Sequence, residues 1–104
     1  MTRFNLEWQR VVDLSGNPCG SPSADQDTVF NVIDTLENMI ESHGLRLSFT
    51  RKEIAASTEN GLDRFYFNGE SLEELLGITS SSIERYTPDL ILQAALVAVE
   101  REST

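Results

Sequence analysis

The sequence predicts a single α/β domain over residues 1–104, with a mixed sheet flanked by helices in the order β-α-β-(α)-β-β-α. Three observations carry this prediction. Residues 3–12 alternate between apolar and polar side chains, residues 24–43 change to a helical period, and residues 45–50 alternate again. A strand, a helix and a strand in succession predict a βαβ unit, whose two strands are parallel and joined by a right-handed crossover.

The first strand and the first helix have the clearest patterns. In the strand, Phe4, Leu6 and Trp8 point to one side and are predicted to be core. The helix has an apolar stripe at helical spacing, formed by Val29, Val32, Ile33, Leu36 and Ile40. Gly44 follows His43 and is suited to the left-handed position that ends a helix.

The middle of the chain predicts a hairpin. The segment LDRFYF (62–67) is a third strand, with Tyr66 on the opposite face from Phe65 and Phe67. Asn68-Gly69 directly after it is a strong type I′ turn signal. Before this strand, KEIAAS (52–57) predicts a short helical turn and TENG (58–61) a loop.

The sequence leaves open whether residues 70–76 form a helix or a strand. The turn at Asn68-Gly69 predicts a return strand, whereas the capping box from Ser71 to Glu74 and the stop at Gly77 predict a short helix. We favour a brief return strand that runs into one helical turn.

The last helix begins at a strong signal. Thr87 is the predicted N-cap, Pro88 the first helical residue, and Asp89 an acid that suits the helix dipole. Its apolar residues are Leu90, Ile91, Ala94, Val97 and Ala98. Because this set is wider than a narrow stripe, we expect the helix either to pack deep in the core or to meet a partner with one side.

The composition excludes several classes of partner. Seventeen acidic and eight basic residues give a net charge of -9, so we expect neither nucleic acid nor an anionic membrane surface to bind. The first ten residues, MTRFNLEWQR, lack the apolar run of a secretory signal. One cysteine cannot form an internal disulfide, and we therefore expect a cytoplasmic protein with a reduced thiol.

The element order, with a cysteine between the first strand and the first helix, is the thioredoxin arrangement. The segments LEWQRVVD, DRFYFNGESLEELLG and TPDLILQAALVAV carry a closer resemblance. Through them the chain resembles an uncharacterised family of small bacterial and archaeal domains of unknown function, which are thioredoxin-like. The resemblance covers nearly the whole chain and implies a fold, but no reaction.

The chain departs from that family at its cysteines. The family has a C-x-x-C-G motif in the first loop, where this chain reads Gly16-Asn17-Pro18-Cys19-Gly20. Glycine therefore stands at the first cysteine position. The family also has a cysteine-rich insertion after the LEELLG block, where this chain has only ITSSSIERY. A dithiol cycle and a cysteine-based metal site are thus both disfavoured.

Cys19 is the only candidate catalytic residue, and only as a thiol. A thiol beside a helix N-terminus is activated when the dipole stabilises the thiolate, but a lone resolving cysteine cannot complete an exchange cycle. One cysteine and one histidine, His43, fall short of the ligands that zinc needs. We predict no metal and no cofactor.

Two functions follow from these observations. The favoured one is a non-catalytic interaction or accessory module, with a protein partner or a second copy bound through an edge strand or the C-terminal helix. The alternative is a monothiol protein that uses Cys19 for thiol exchange or for capture of a soft electrophile or metal(loid). The balance of residues favours a protein that is not an enzyme.

Overall fold

The computed structural model describes residues 2–17, 19, 24–56 and 63–102. The strands are β1 (Thr2–Val12), β2 (Leu45–Ala55), β3 (Arg64–Phe67) and β4 (Glu70–Ser71). The helices are α1 (Gln26–Glu41), α2 (Leu72–Leu76) and α3 (Pro88–Glu102), with a 3-10 turn at Ser80–Ser82. The strands form one mixed sheet in the order β2-β1-β3-β4, which confirms the predicted α/β class.

Strand β1 is an inner strand of the sheet and organises the fold. It pairs with β2 in parallel, from Thr2 opposite Leu45 to Val12 opposite Ala55. On its other side it pairs antiparallel with β3, where Trp8 lies opposite Phe65. The predicted parallel βαβ unit is therefore confirmed, and β2 is the outer strand on its side of the sheet.

Helix α1 buries the predicted stripe. Four of its members are at most 1% exposed, and the fifth, Ile33, is partly buried against them. The helix ends at Glu41, and Gly44 then adopts φ +74° while its N–H donates to the Glu41 carbonyl at 3.1 Å. A left-handed glycine thus turns the chain into β2, as the sequence predicts.

The predicted helical turn in KEIAAS is wrong. Its first four residues continue β2, because the pairing with β1 runs unbroken to Ala55. Beyond it, the Ala56 N–H donates to the Val12 carbonyl at 3.0 Å. Ladder hydrogen bonds to β1 therefore override the weak local helix preference of this segment. The predicted loop at residues 58–61 lies outside the described residues.

The hairpin turn and its helical continuation match the sequence, although β3 begins at Arg64 and Asp63 of the predicted strand lies outside it. Asn68 and Gly69 adopt φ +52° and +87°, both positive as a type I′ turn requires. The return strand β4 has two residues and leads directly into α2. At the start of α2 the Glu74 N–H donates to Ser71 Oγ at 3.2 Å, and Gly77 ends the helix at φ +67°.

All three helices contribute to one core on one face of the sheet. The sheet side of this core consists of residues at most 1% exposed, namely Phe4, Leu6, Trp8, Phe65 and Phe67. Leu36, Leu72 and Ile91, one from each helix, belong to the same cluster. The predicted helices therefore flank the sheet on a single side within the described residues, while Tyr66 lies on the opposite face, as expected.

Helix α3 uses its wide apolar surface within the molecule. Thr87 caps it, since its Oγ1 accepts the Leu90 N–H at 3.2 Å. Ile91, Ala94 and Ala98 are buried, and the helix contacts both α1 and α2. Of its large apolar side chains, Leu96 remains 44% exposed. The breadth of the apolar set is thus explained by two helix neighbours and the sheet.

Candidate functional site

The loop that carries Cys19 leaves the sheet where β1 ends. Cys19 is exposed, and its N–H donates to the Val11 carbonyl at 3.1 Å. Just before it, Asp13 folds the chain into a tight turn, because its Oδ1 accepts the N–H groups of Ser15 at 2.8 Å and Asn17 at 3.0 Å. The backbone of the thiol is therefore held against the end of β1.

Gly16 has a conformational reason to be glycine. It adopts φ +81°, a region that side-chain-bearing residues rarely enter. A cysteine here would meet no neighbouring atom but would strain the backbone. The backbone conformation of this turn thus favours glycine at position 16.

The topology separates Cys19 from the single histidine of the chain. Helix α1 begins at Gln26, seven residues after Cys19 in the sequence. His43 lies just before Leu45, whose partner Thr2 is at the opposite end of β1 from Val11. A cysteine–histidine pair is therefore excluded by topology.

A buried carboxylate that the sequence analysis did not identify lies beneath the cysteine loop. Asp63 is 0% exposed and precedes β3. Its Oδ1 accepts the Val11 N–H at 2.9 Å, and its Oδ2 accepts the Ala24 N–H at 3.0 Å and the Trp8 Nε1–H at 3.3 Å. Because Val11 and Ala24 flank the cysteine loop, one carboxylate fastens both of its ends.

Tyr86 completes this buried cluster. Its hydroxyl donates to the Asp63 carbonyl oxygen at 2.5 Å, and its ring packs edge-on against Phe65 at 5.0 Å between centroids. Burial raises the pKa of Tyr86 well above its ordinary value, and the nearby Glu73 and Asp63 carboxylates raise it further. Tyr86 is therefore a protonated donor near neutral pH rather than a base.

Glu73 adds a second buried acid at this end of the core. It is 8% exposed, and its Oε1 has no hydrogen-bond partner among the described residues. Asp63, Tyr86 and Glu73 are all shielded from solvent, whereas Cys19 is exposed. The cluster therefore positions the loop and offers no surface group for chemistry on a substrate.

The second candidate site is the sheet face that the helices leave uncovered, here called the open face. Its side chains are Arg3, Asn5, Glu7 and Gln9 of β1, Arg46, Ser48, Thr50 and Lys52 of β2, and Arg64 and Tyr66 of β3. They include four of the eight basic residues of the chain and one of its seventeen acidic residues. The open face is thus a basic surface on an acidic protein.

Some charged residues of the open face form an ion pair with each other, and others do not. Lys52 pairs with Glu7 at 3.2 Å between Nζ and Oε1, and Gln9 donates to Glu7 Oε2 at 2.7 Å. The hydrogen bond from Gln9, together with Lys52, lowers the pKa of Glu7. Arg3 and Arg46 lie directly opposite each other across β1 and β2, and neither forms an ion pair with a described acid.

The outer edge of β2 borders this face. Among the described residues, no strand pairs with that edge, which is eleven residues long. A cleft of about 450 Å³ lies beside it, lined by Glu37, Glu41, Leu45, Arg46 and Leu47. At the other margin of the sheet β4 has only two residues. The sequence analysis predicted that an edge strand could dock a partner but did not say which strand. The topology shows that β2 is the longer of the two outer strands.

Neither a metal cluster nor a membrane span is present among the described residues. No group of three or more His, Cys, Asp or Glu side chains there is placed to hold a metal ion. No helix in the described part of the chain has the length and apolarity needed to cross a bilayer. Comparison of the chain with protein-family models, with curated proteins and with solved structures found no match.

Proposed function

We propose that this chain is a small thioredoxin-like interaction module of the cytoplasm that lacks a redox dithiol and acts by binding another protein. The observation that carries the proposal is the uncovered basic sheet face beside the free edge of β2. Within the described part of the chain, the outer edge of β2 has eleven residues without a pairing strand, and another chain adds readily to such an edge.

The thioredoxin-like part of the proposal is supported by topology. A parallel βαβ unit is followed by an antiparallel hairpin and a C-terminal helix, and the cysteine loop lies between β1 and α1. The positive φ of Gly16 supports a loop that is built without a second thiol at that position. A module of this kind keeps the scaffold of an oxidoreductase without its exchange cycle.

The interaction is tested by photo-crosslinking from the sheet. A benzoylphenylalanine at Thr50, which is exposed on the open face of β2, is compared with one at the exposed Arg85 in the cells that express the protein. We expect a discrete protein adduct from position 50 but not from position 85, unchanged when Cys19→Ser is added. Absence of an adduct at position 50, or its loss with Cys19→Ser, would contradict the proposal.

The alternative is a monothiol protein, favoured by one observation. Cys19 is exposed on a loop whose two ends are fastened by Asp63, so the thiol is accessible at a defined place. In exchange with a small disulfide, its thiolate would attack one sulfur, form a mixed disulfide and release the other sulfur as a thiolate.

Alkylation decides between the two functions. Iodoacetamide reacts with the thiolate by displacing iodide, so the rate measured against pH reports when the Cys19 thiol ionises. A midpoint well below the ordinary value of about 8.5 would support the monothiol function. A midpoint at or above that value would leave the interaction module as the only candidate.

A further inference from the structure

We infer that the outer edge of β2 binds an extended segment of a protein in which acidic residues alternate with apolar ones, and that this segment adds as a fifth strand. The inference rests on the proposed interaction function and names the chemistry of the partner. It is carried by three properties of β2, namely its free backbone edge, the different chemistry of its two faces, and its positive charge.

The backbone of β2 offers hydrogen bonds to a new strand. The Ala56 N–H points inward, since it donates to the Val12 carbonyl at 3.0 Å. Backbone groups of successive residues alternate in direction along a strand, so those of Leu47, Phe49 and Arg51 point outward. The register with β1 has no interruption, and the alternation therefore extends along the whole edge.

The two faces of β2 predict the side chains of the added strand. On the open face β2 presents Arg46, Ser48, Thr50 and Lys52, beside which acidic side chains are favoured. On the helix side its first half presents Leu45, Leu47 and Phe49, the last two only partly buried against the core, and Arg51 and Glu53 follow on that side. Apolar side chains can extend that surface, whereas Glu37 and Glu41 of the adjacent cleft repel acids there.

Charge complementarity selects an acidic partner. Arg3 and Arg46 lie opposite each other, and like charges in that relation destabilise a sheet. A carboxylate beside Arg46 would relieve this repulsion, and on the same face Glu7 already forms an ion pair with Lys52. Arg51, which pairs with Trp8 on the helix side, adds a third positive charge to the strand, and Glu53 beyond it carries a negative one. An acidic segment is therefore attracted to one limited part of a chain whose net charge is -9.

A second copy of the chain is a poorer occupant. Two copies each carry a net charge of -9 and repel one another over long range. An antiparallel β2–β2 pair would also bring the basic residues of both edges together on the new sheet. The positive edge that attracts an acidic segment thus works against self-association.

Binding is tested with defined peptides on the intact chain. A peptide of about ten residues that alternates Asp and Val is compared with a Lys–Val peptide and with one of the same Asp and Val content arranged in two blocks. Amide chemical shifts are followed by NMR at low and high salt. We expect saturable shifts on β2 with the alternating Asp–Val peptide alone, weakened by salt because exposed charges are screened.

Two variants probe the edge. Arg46→Glu reverses one charge and should weaken the Asp–Val peptide about tenfold, whereas Arg85→Glu makes the same net change elsewhere and should leave binding intact. Arg51→Pro removes an outward N–H without removing a bond to β1, and should abolish binding. If Arg51→Pro does not fold, the difference in peptide affinity between Arg46→Glu and Arg85→Glu still tests the inference.

The outcomes separate this inference from the function on which it rests. The inference that β2 binds an acidic segment would be wrong if the three peptides bind equally or if the chemical-shift changes lie away from β2. It would also be wrong if the protein dimerises with rising concentration in the absence of peptide. If the crosslinked adduct from position 50 forms equally well with Arg46→Glu, the interaction module stands and the acidic partner is wrong. If no adduct forms from position 50, both the module and its partner are wrong.

Discussion

Neighbouring residues of β1 have opposite surroundings. Leu6 is 1% exposed in the core beneath the helices, whereas Asn5 is exposed on the open face. Every helix contributes to the first face, and the second holds half of the basic residues. One strand therefore supplies folding free energy with one set of side chains and leaves the other set outside the core. Substitutions on the two faces should therefore differ in how much they lower the free energy of unfolding, and the variants below test this difference.

The largest loss of stability is expected when Asp63, the buried carboxylate on the helix-covered side of the sheet, is replaced. Asp63→Ala leaves the N–H groups of Val11, Ala24 and Trp8 without their acceptor, and we expect it to cost about 4 kcal/mol of unfolding free energy. Asp13→Ala is the matched control, since Asp13 also accepts two backbone N–H groups but is exposed to water. We expect that change to cost about 1 kcal/mol.

Urea unfolding of the two aspartate variants provides the measurement. Hydrogen exchange at the amide protons of Val11 and Ala24 then shows whether the cysteine loop opens when Asp63 is removed. Equal losses for Asp63→Ala and Asp13→Ala would refute the role of Asp63 as the buried fastening of the loop.

Adjacent substitutions on β1 give the direct comparison of the two faces. Leu6→Ala removes buried methyl groups from the core and should cost about 3 kcal/mol. Asn5→Ala keeps the backbone N–H that donates to Asn68 Oδ1 at 2.8 Å, and should change stability by less than about 0.5 kcal/mol. Thermal and urea unfolding of both variants measure the difference. A cost above about 2 kcal/mol for Asn5→Ala would show that the open face is covered.

Much of the fold was predictable because local signals and packing agree. The stripe on α1, the Asn68-Gly69 turn and the Thr87 cap are read over a few residues, and all form as expected. The extension of β2 to Ala55 was missed because it depends on pairing with β1, which the local sequence of KEIAAS does not reveal. That only one side of the sheet is covered is likewise a property of the whole chain.

The site was less predictable than the fold. Cys19 was identified because its residue type is conspicuous, and its location between β1 and α1 followed from the element order. Asp63 was missed because its three donors are distant in sequence, the nearest being Ala24 at a separation of 39 residues. One signal was available, since a core tryptophan needs an acceptor for its indole N–H and LDRFYF placed an acid within a predicted strand.

Tyr86 allows the buried cluster to be tested by pH. Tyr86→Phe removes a hydrogen bond to the Asp63 carbonyl and should cost about 1 kcal/mol at neutral pH. Because the folded-state pKa is raised above the ordinary value of 10.0, the stabilisation is fully present below pH 10 and is lost as the pH rises toward the folded-state pKa. The gap between wild type and Tyr86→Phe should therefore narrow above pH 10.

Urea unfolding at neutral pH and at about pH 10.8 measures that gap, with a change of at most about 1.4 kcal/mol per pH unit. Every other residue is the same in the two proteins, so the comparison isolates the Tyr86 hydroxyl. A gap that stays constant with pH would show that the Tyr86 hydroxyl is not held protonated by burial.

The smallest effect is expected on the open face, at Glu7. Glu7→Gln removes the pair with Lys52 and the charge that receives the Gln9 hydrogen bond, at a cost of about 0.5 kcal/mol near neutral pH. The pKa of Glu7 is lowered from 4.5, so its stabilisation is present above that value and is lost as the pH falls through the folded-state pKa. The two proteins should become equally stable in acid.

Glu37→Gln is the matched control for Glu7→Gln, because it makes the same change in net charge at an exposed position on α1. Unfolding at neutral pH and at about pH 3, in low and in high salt, separates the local pair from the general relief of charge repulsion. If both variants change stability equally at neutral pH, the Glu7–Lys52 pair adds nothing. A loss specific to Glu7→Gln, removed by acid and reduced by salt, would instead show that Glu7 is committed to Lys52, leaving Arg3, Arg46 and Arg64 as the basic residues of the open face outside that pair.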